Sequence, residues 1–307
     1  MLKRPQPYDV VRSGRSGTVL REPGNLRRLH VRHLQAHSIH LPRLQSGFTL
    51  AELAIVLVIV AFLLGGMMAM FSSQTDQRKW NDTQSRLEAA RDALLGYAIA
   101  NGRFPCPANS TSAGAEAPAG GGVCGAGNPQ DYYGGVVAGV TYGLLPAVTI
   151  GYQPVDSQGF ALDAWGNRIR YAISRVTTPV TTSANFTNAA NLKGSGISVL
   201  PNDLVVCASV TGTSAGPPPS CVAATNSVTN QKTVVAVLLS TGKNGLGQVT
   251  PGLDEATNAS PTAANDALFV SHTPTPSTAA NGEFDDQVLW ISVGTLYAKL
   301  IAAGVLP

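Results

Sequence analysis

From Leu53 to Phe71 the chain runs LAIVLVIVAFLLGGMMAMF, apolar and without a charge. As a helix this run is long enough to cross a bilayer core of about 30 Å. After Phe71 the pattern changes to SSQTDQRKWNDTQSRLEAARDALLGYAIAN, in which Trp80, Leu87, Ala90, Leu94 and Ala98 recur at spacings of three, four and seven. That stripe predicts an amphipathic continuation of the same helix, with Arg78, Asp82, Glu88 and Asp92 on its other faces. Asn101-Gly102 followed by Pro105 marks the end, because glycine suits a carboxyl-terminal cap and proline forbids another turn. A helix from Phe48 to Asn101 would be about 80 Å long at 1.5 Å per residue.

Downstream the periodicity shortens. Strands are predicted at Arg168 to Arg175, Leu204 to Val210, Thr233 to Ser240 and Gln287 to Val293. In the first, Ile169, Tyr171 and Ile173 alternate with Arg168, Arg170 and Ser174, so one face should lie on the helix and the other face water. Thr211 to Ser220 and Thr250 to Ala280 are rich in small and polar residues and predict surface loops, and Gly294 to Leu306 predicts a short terminal helix. The expected class is α+β: a long amino-terminal helix, first membrane-spanning and then amphipathic, packed on an antiparallel sheet with long loops.

Charge sharpens this division. Residues 1 to 47 hold nine Lys or Arg against Asp9 and Glu22, a net +7, which leaves −4 for the rest of a chain whose total is +3. The positive charge is therefore not on the part that folds, which argues against nucleic-acid binding. It orients the apolar segment instead, with Met1 on the cytoplasmic side and the carboxyl-terminal body outside. All four cysteines, Cys106, Cys124, Cys207 and Cys221, lie in that outer body, and none has C-x-x-C spacing. They are disulfide candidates. Local pairing, Cys106 with Cys124 and Cys207 with Cys221, would close two Gly- or Pro-rich loops at a gain of roughly 3 kcal/mol each, and the other two connectivities remain open.

Immediately before the apolar run stands Gly47-Phe48-Thr49-Leu50-Ala51-Glu52. This string resembles the processing signal of type IV prepilins and type II secretion pseudopilins. The resemblance implies that a membrane prepilin peptidase cuts between Gly47 and Phe48 and methylates the new Phe48 amine, and that Glu52 is the acid at position five of the mature chain. A carboxylate in an apolar span is costly, about 2.5 to 3.5 kcal/mol for Asp at a helix centre and less near an end, so such acids usually have a partner. The Phe48 ammonium of a neighbouring subunit would provide one for Glu52 and fix the register between subunits. Leaders in this family are generally short, whereas 47 residues precede the cut here. This points to a translation start downstream of Met1, with part of residues 1 to about 35 never made.

The body carries further resemblances, to the major-pseudopilin branch. Asn101-Gly102-Arg103-Phe104-Pro105, Asp163-Ala164-Trp165-Gly166-Asn167, Ser240-Thr241-Gly242-Lys243-Asn244-Gly245, and Asp285-Asp286 ahead of Trp290 follow in that branch's order. The Asp163 to Asn167 stretch is expected to be a turn pinned by a packed Trp165. The branch holds a calcium ion before its last strands, which implies Asn244, Asp285 and Asp286 as ligands here, although Asn244 stands where an Asp is usual. Calcium takes six to eight oxygen ligands, which such groups provide.

The expected organisation is a cytoplasmic leader at 1–47 that is removed, a membrane half-helix at 48–71, an amphipathic half-helix at 72–101 and a periplasmic head at 102–307. No catalytic constellation is present. His272 is the only histidine after Gly47 and falls in a Thr/Pro/Ser-rich loop expected to be exposed, and Gly242-Lys243-Asn244 lacks the flanking residues of a phosphate-binding loop. The reading is a structural subunit of the bacterial inner membrane, single-pass, that joins other pilin or pseudopilin subunits and an assembly platform in a homo- or heteropolymer. The alternative is a low-abundance tip subunit whose loops bind a substrate or surface.

Overall fold

A computed structural model describes residues 47–120, 124, 135–137, 140–174, 185–198, 200–201, 203–214, 220–245, 252–259 and 267–306. The expected leader and downstream start, apart from Gly47, lie outside these residues. The chain divides into two compact units, Met1–Val58 and Ile59–Pro307.

Helix α1 spans Leu50–Asn101 and ends where the sequence predicts: the Gly102 N–H donates to the Ala98 carbonyl at 2.8 Å, and Gly102 takes a left-handed φ of +67°. Among the described residues no helix is long and apolar enough to cross a membrane. Within the expected span, the side chains of 64 and 66–71 lie outside the described set.

In the second unit the predicted stripe faces inward. Leu87, Ala90, Leu94 and Ala98 are fully buried, joined by Thr83 and Leu95, while Trp80 is half-buried. This stripe belongs to one core with the antiparallel sheet β3 (Arg170–Ile173), β7 (Val234–Ser240) and β9 (Gln287–Ser292), in the order β3-β7-β9. Tyr171 pairs with Leu238 and Val237 with Trp290, and a bulge lies between Val234 and Ala236. The unbroken apolar run of β7 is buried along its whole length, as a central strand covered on both faces requires.

Smaller elements complete the body: the hairpin β1 (Gly135–Val137) and β2 (Val140–Tyr142), and the short helices α2 (Ala147–Ile150) and α3 (Ala189–Ser195). At the carboxyl-terminal end, α5 (Val293–Ala302) is capped by Ser292, whose hydroxyl accepts from the Thr295 N–H at 3.1 Å. Both disulfides are local, Cys106–Cys124 and Cys207–Cys221, with Cα separations of 5.5 and 5.7 Å.

Three expectations are corrected. The segment at Leu204 to Val210 contributes only β4 (Val205–Cys207), which pairs in parallel with β8 (Leu268–Val270), apart from the three-stranded sheet. The expected loop at Thr250 to Ala280 thus contains a strand, and also helix α4 (Leu253–Ala259), with 250–251 and 260–266 outside the described residues. In the expected loop at Thr211 to Ser220, β5 (Thr213–Ser214) pairs with β6 (Ser220–Cys221), and 215–219 lie outside.

Nor does β3 alternate as predicted, because Arg170 is buried along with its neighbours. Burial pushes its guanidinium down to about 10, and Arg170 Nη1 donates to the Tyr142 carbonyl at 2.9 Å. Neighbouring β2 supplies an acceptor where water was expected, and Arg175 lies outside the described residues.

Arg103, just past α1, ties the helix end to the first disulfide loop. Its guanidinium grips Glu116 with two bonds of 2.8 and 2.9 Å and donates to the Tyr97 hydroxyl at 2.8 Å. Glu116 also accepts from the Cys106 and Gly120 N–H groups. Burial alone would raise the Glu116 carboxyl, but Arg103 and these N–H donors hold it below the usual glutamate range.

Candidate functional site

The amino-terminal signal is open to its surroundings. Phe48 is 86% exposed, and a Cβ added at Gly47 would meet nothing within 4 Å. The chain's own packing therefore does not call for a glycine at 47, so any demand for one comes from outside the chain. Thr49 and Glu52 form a reciprocal cap at the start of α1. Glu52 Oε2 accepts from the Thr49 N–H at 2.9 Å and from its hydroxyl at 3.0 Å, while the Glu52 N–H donates to Thr49 Oγ1 at 3.2 Å. This second role of Glu52 was legible in the Thr-x-x-Glu spacing.

In the body, the motifs lined up in sequence meet at one place. Asp163 Oδ1 accepts from the Trp165 and Asn167 N–H groups, and Asp163 Oδ2 accepts from the Ser240 hydroxyl at 2.7 Å. The turn docks on α1 through Arg86 Nη1, which donates to the Leu162 and Asp163 carbonyls, and through Thr83 Oγ1, which accepts from the Ala164 N–H. Asp163, not Trp165, is the pin: Trp165 is half-buried and stands edge-on to Trp80 with ring centroids 6.4 Å apart. Asn167 Nδ2 donates to the Gly242 carbonyl, which joins this turn to the Ser240–Gly245 loop. That loop presses on Asp285 so closely that a Cβ at Gly242, where φ is +61°, would fall 1.9 Å from Asp285 Oδ1.

Beside this junction, Glu255, Asp285 and Asp286 each bring a carboxylate oxygen within 4.8 Å of the others. Glu255 comes from α4, inside the segment expected to be a loop, and sequence reasoning missed it. Asn244, predicted as a ligand, instead places its Nδ2 at 3.0 and 3.1 Å from the two Glu255 oxygens. Asp285 Oδ1 is buried with no hydrogen-bond partner, whereas Asp286 Oδ2 accepts from Asn258 at 2.9 Å. Burial first, then the Glu255 charge, pushes the Asp285 carboxyl up to about 7, and burial holds Asp286 well above the usual range.

A common ion with oxygens at 2.3 to 2.6 Å would hold its donors within about 5 Å of one another. The three carboxylates meet this limit, and a rotated Asn244 amide would add an oxygen. His272 is not the exposed loop residue expected. It stacks on Phe284 with centroids 3.8 Å apart, and its Nε2 lies 3.3 Å from the buried Asp254.

The family described as the prokaryotic N-terminal methylation motif matches residues 42–68, a stretch that contains Gly47, Phe48 and Glu52. The type IV major pilin protein PilE1 of Neisseria gonorrhoeae is 31% identical over 129 residues, which cover 41% of this chain and 64% of that protein, a little under two thirds of its length. No solved structure matches. In this motif and over this stretch the chain is similar to type IV pilins, and its α+β architecture is consistent with a pilin-like fold.

Proposed function

We propose that this chain is a filament subunit of a type IV pilus or a type II secretion pseudopilus. A prepilin peptidase cuts it between Gly47 and Phe48 and methylates the Phe48 amine, and the mature helix start stays in the inner membrane until an assembly platform passes it into the polymer. The observation that carries this reading is Gly47 to Glu52, inside the matched motif and directly ahead of a run of exposed apolar side chains from Leu53 to Leu63.

In the assembled state the Glu52 carboxylate meets the Phe48 ammonium of the next subunit, a pair strengthened by the absence of water. Mass spectrometry of the membrane-bound chain from cells with the processing enzyme should find a mature protein beginning at methylated Phe48. Glu52→Ala should be cut normally and fail to assemble. An uncut chain in such cells would sink the proposal.

The head would hold one calcium ion through Glu255, Asp285, Asp286 and Asn244. Support comes from the convergence of three carboxylates and the unpartnered Asp285 Oδ1. Calcium at a hundredfold excess over its dissociation constant should add about 2.7 kcal/mol to unfolding relative to chelator. Glu255→Gln should remove most of that gain, and no difference between calcium and chelator in wild type would discard the site.

A further inference from the structure

A cavity of about 550 Å³ lies between α1 and the 274–285 segment, lined by Asp76, Gln77, Trp80, Trp165, Lys243, Pro274, Thr275, Pro276, Glu283, Phe284 and Asp285. Its apolar surface is Trp80, Trp165, Pro274, Pro276 and Phe284, and Pro274 and Pro276 are exposed. The Lys243 ammonium is already engaged by Asp76 at 2.7 Å. Asp285 is turned to the acidic cluster beside the cavity, so Glu283 is the lining acid with no ion-pair partner among the described residues. Lys243 feels the Glu283 charge but makes its close pair with Asp76, so two lining acids, Asp76 and Glu283, share one lining cation. Aromatic rings beside such an excess of negative charge suit a cation on an apolar stem, above all a guanidinium, which can lie over an indole while it pairs with an acid.

Helix α1 supplies such a group at the same level. Arg78 is exposed and has no ion-pair partner among the described residues. At about 100° per residue, Asp76 and Trp80 lie about 40° apart on the cavity side, while Arg78 lies about 160° from both. Lys79 is nearer that side but is not part of the lining. One level of the helix thus has an acidic aromatic socket on one face and a free guanidinium on the opposite face. A socket and plug on opposite faces make a heterologous contact, which repeats from copy to copy without closing and is the kind a filament needs.

We infer that the cavity lined by Trp80, Trp165 and Glu283 seats the Arg78 guanidinium of a second copy of this chain. The inference rests on the filament reading and adds a contact outside the membrane to the one at Glu52.

Charge exchange in the full-length chain tests it, in cells that process and assemble the wild type. Arg78→Glu and Glu283→Arg should each lower the polymerised fraction about tenfold, and the double exchange should restore it to within about threefold of wild type. Cleavage after Gly47 and the thermal unfolding of Arg78→Glu should be unchanged. Normal polymerisation of Arg78→Glu, or a double exchange as defective as the worse single, overturns the inference and leaves the filament proposal intact. A wild type that is cut but never polymerises overturns both.

Discussion

The same residue types meet opposite fates in two stretches of α1. Between Leu53 and Leu63 the large apolar side chains stay exposed, from 42% at Val60 to 80% at Phe62. Between Leu87 and Ala98 every residue of the stripe is at 0%. Apolar area removed from water is worth about 25 cal/mol per Å², so the second stretch contributes to the fold of this chain alone and the first does not. The first is apolar on all sides and the second on one. Apolarity all round is suited to lipid and to other helices, whereas a stripe is suited to a single sheet. On the proposed filament reading, the difference separates what holds one subunit together from what makes it a member of an assembly.

The largest effect should come from cutting into the stripe. Leu94→Ala should lower the unfolding free energy by about 2 to 5 kcal/mol in denaturant, whereas Val58→Ala should change it by no more than about 0.5 kcal/mol. Equal losses at the two positions would erase the distinction. The next effect belongs to the junction at the end of the buried stretch. Arg103 and Glu116 have side chains only 12% and 7% exposed, so Glu116→Ala leaves a buried guanidinium unpaired and should cost about 3 kcal/mol. Because the folded state holds Glu116 below the usual glutamate range, its contribution is present at neutral pH and is lost as pH falls from that range through the lowered value. Wild type should therefore lose more stability in acid than Glu116→Ala does, and parallel pH profiles for the two would contradict the assignment.

Legibility in the sequence follows the same line. The stripe of α1 and strand β7 could be read because long periodic or unbroken apolar runs are dictated by burial. The β4–β8 pair could not. Leu268–Val270 is three residues long, and its pairing with Val205–Cys207 is fixed by packing around Phe284, which no local pattern announces. Arg170 followed the alternation in sequence but is buried, because Tyr142 provides an acceptor 28 residues away. The candidate ion site was half visible. Asp285 and Asp286 stand together in sequence, but Glu255 reaches them across 30 residues from a helix hidden in a stretch of small and polar residues.

The smallest effect probes the start of the exposed stretch, where the chain makes one local arrangement of its own. Thr49 and Glu52 satisfy each other's backbone N–H groups at the first turn of α1, outside the core that Leu94 and Glu116 support. Removing the hydroxyl in Thr49→Ala takes away the acceptor for the Glu52 N–H, and such caps are worth about 1 kcal/mol. That loss should appear only locally: in detergent, hydrogen exchange at the Glu52 amide should speed by about fivefold, with no change in global unfolding. If Thr49→Ala lowered the unfolding midpoint of the whole protein as Leu94→Ala is expected to, the helix start would be part of the cooperative fold, and the exposed apolar stretch could no longer be assigned to the assembly alone.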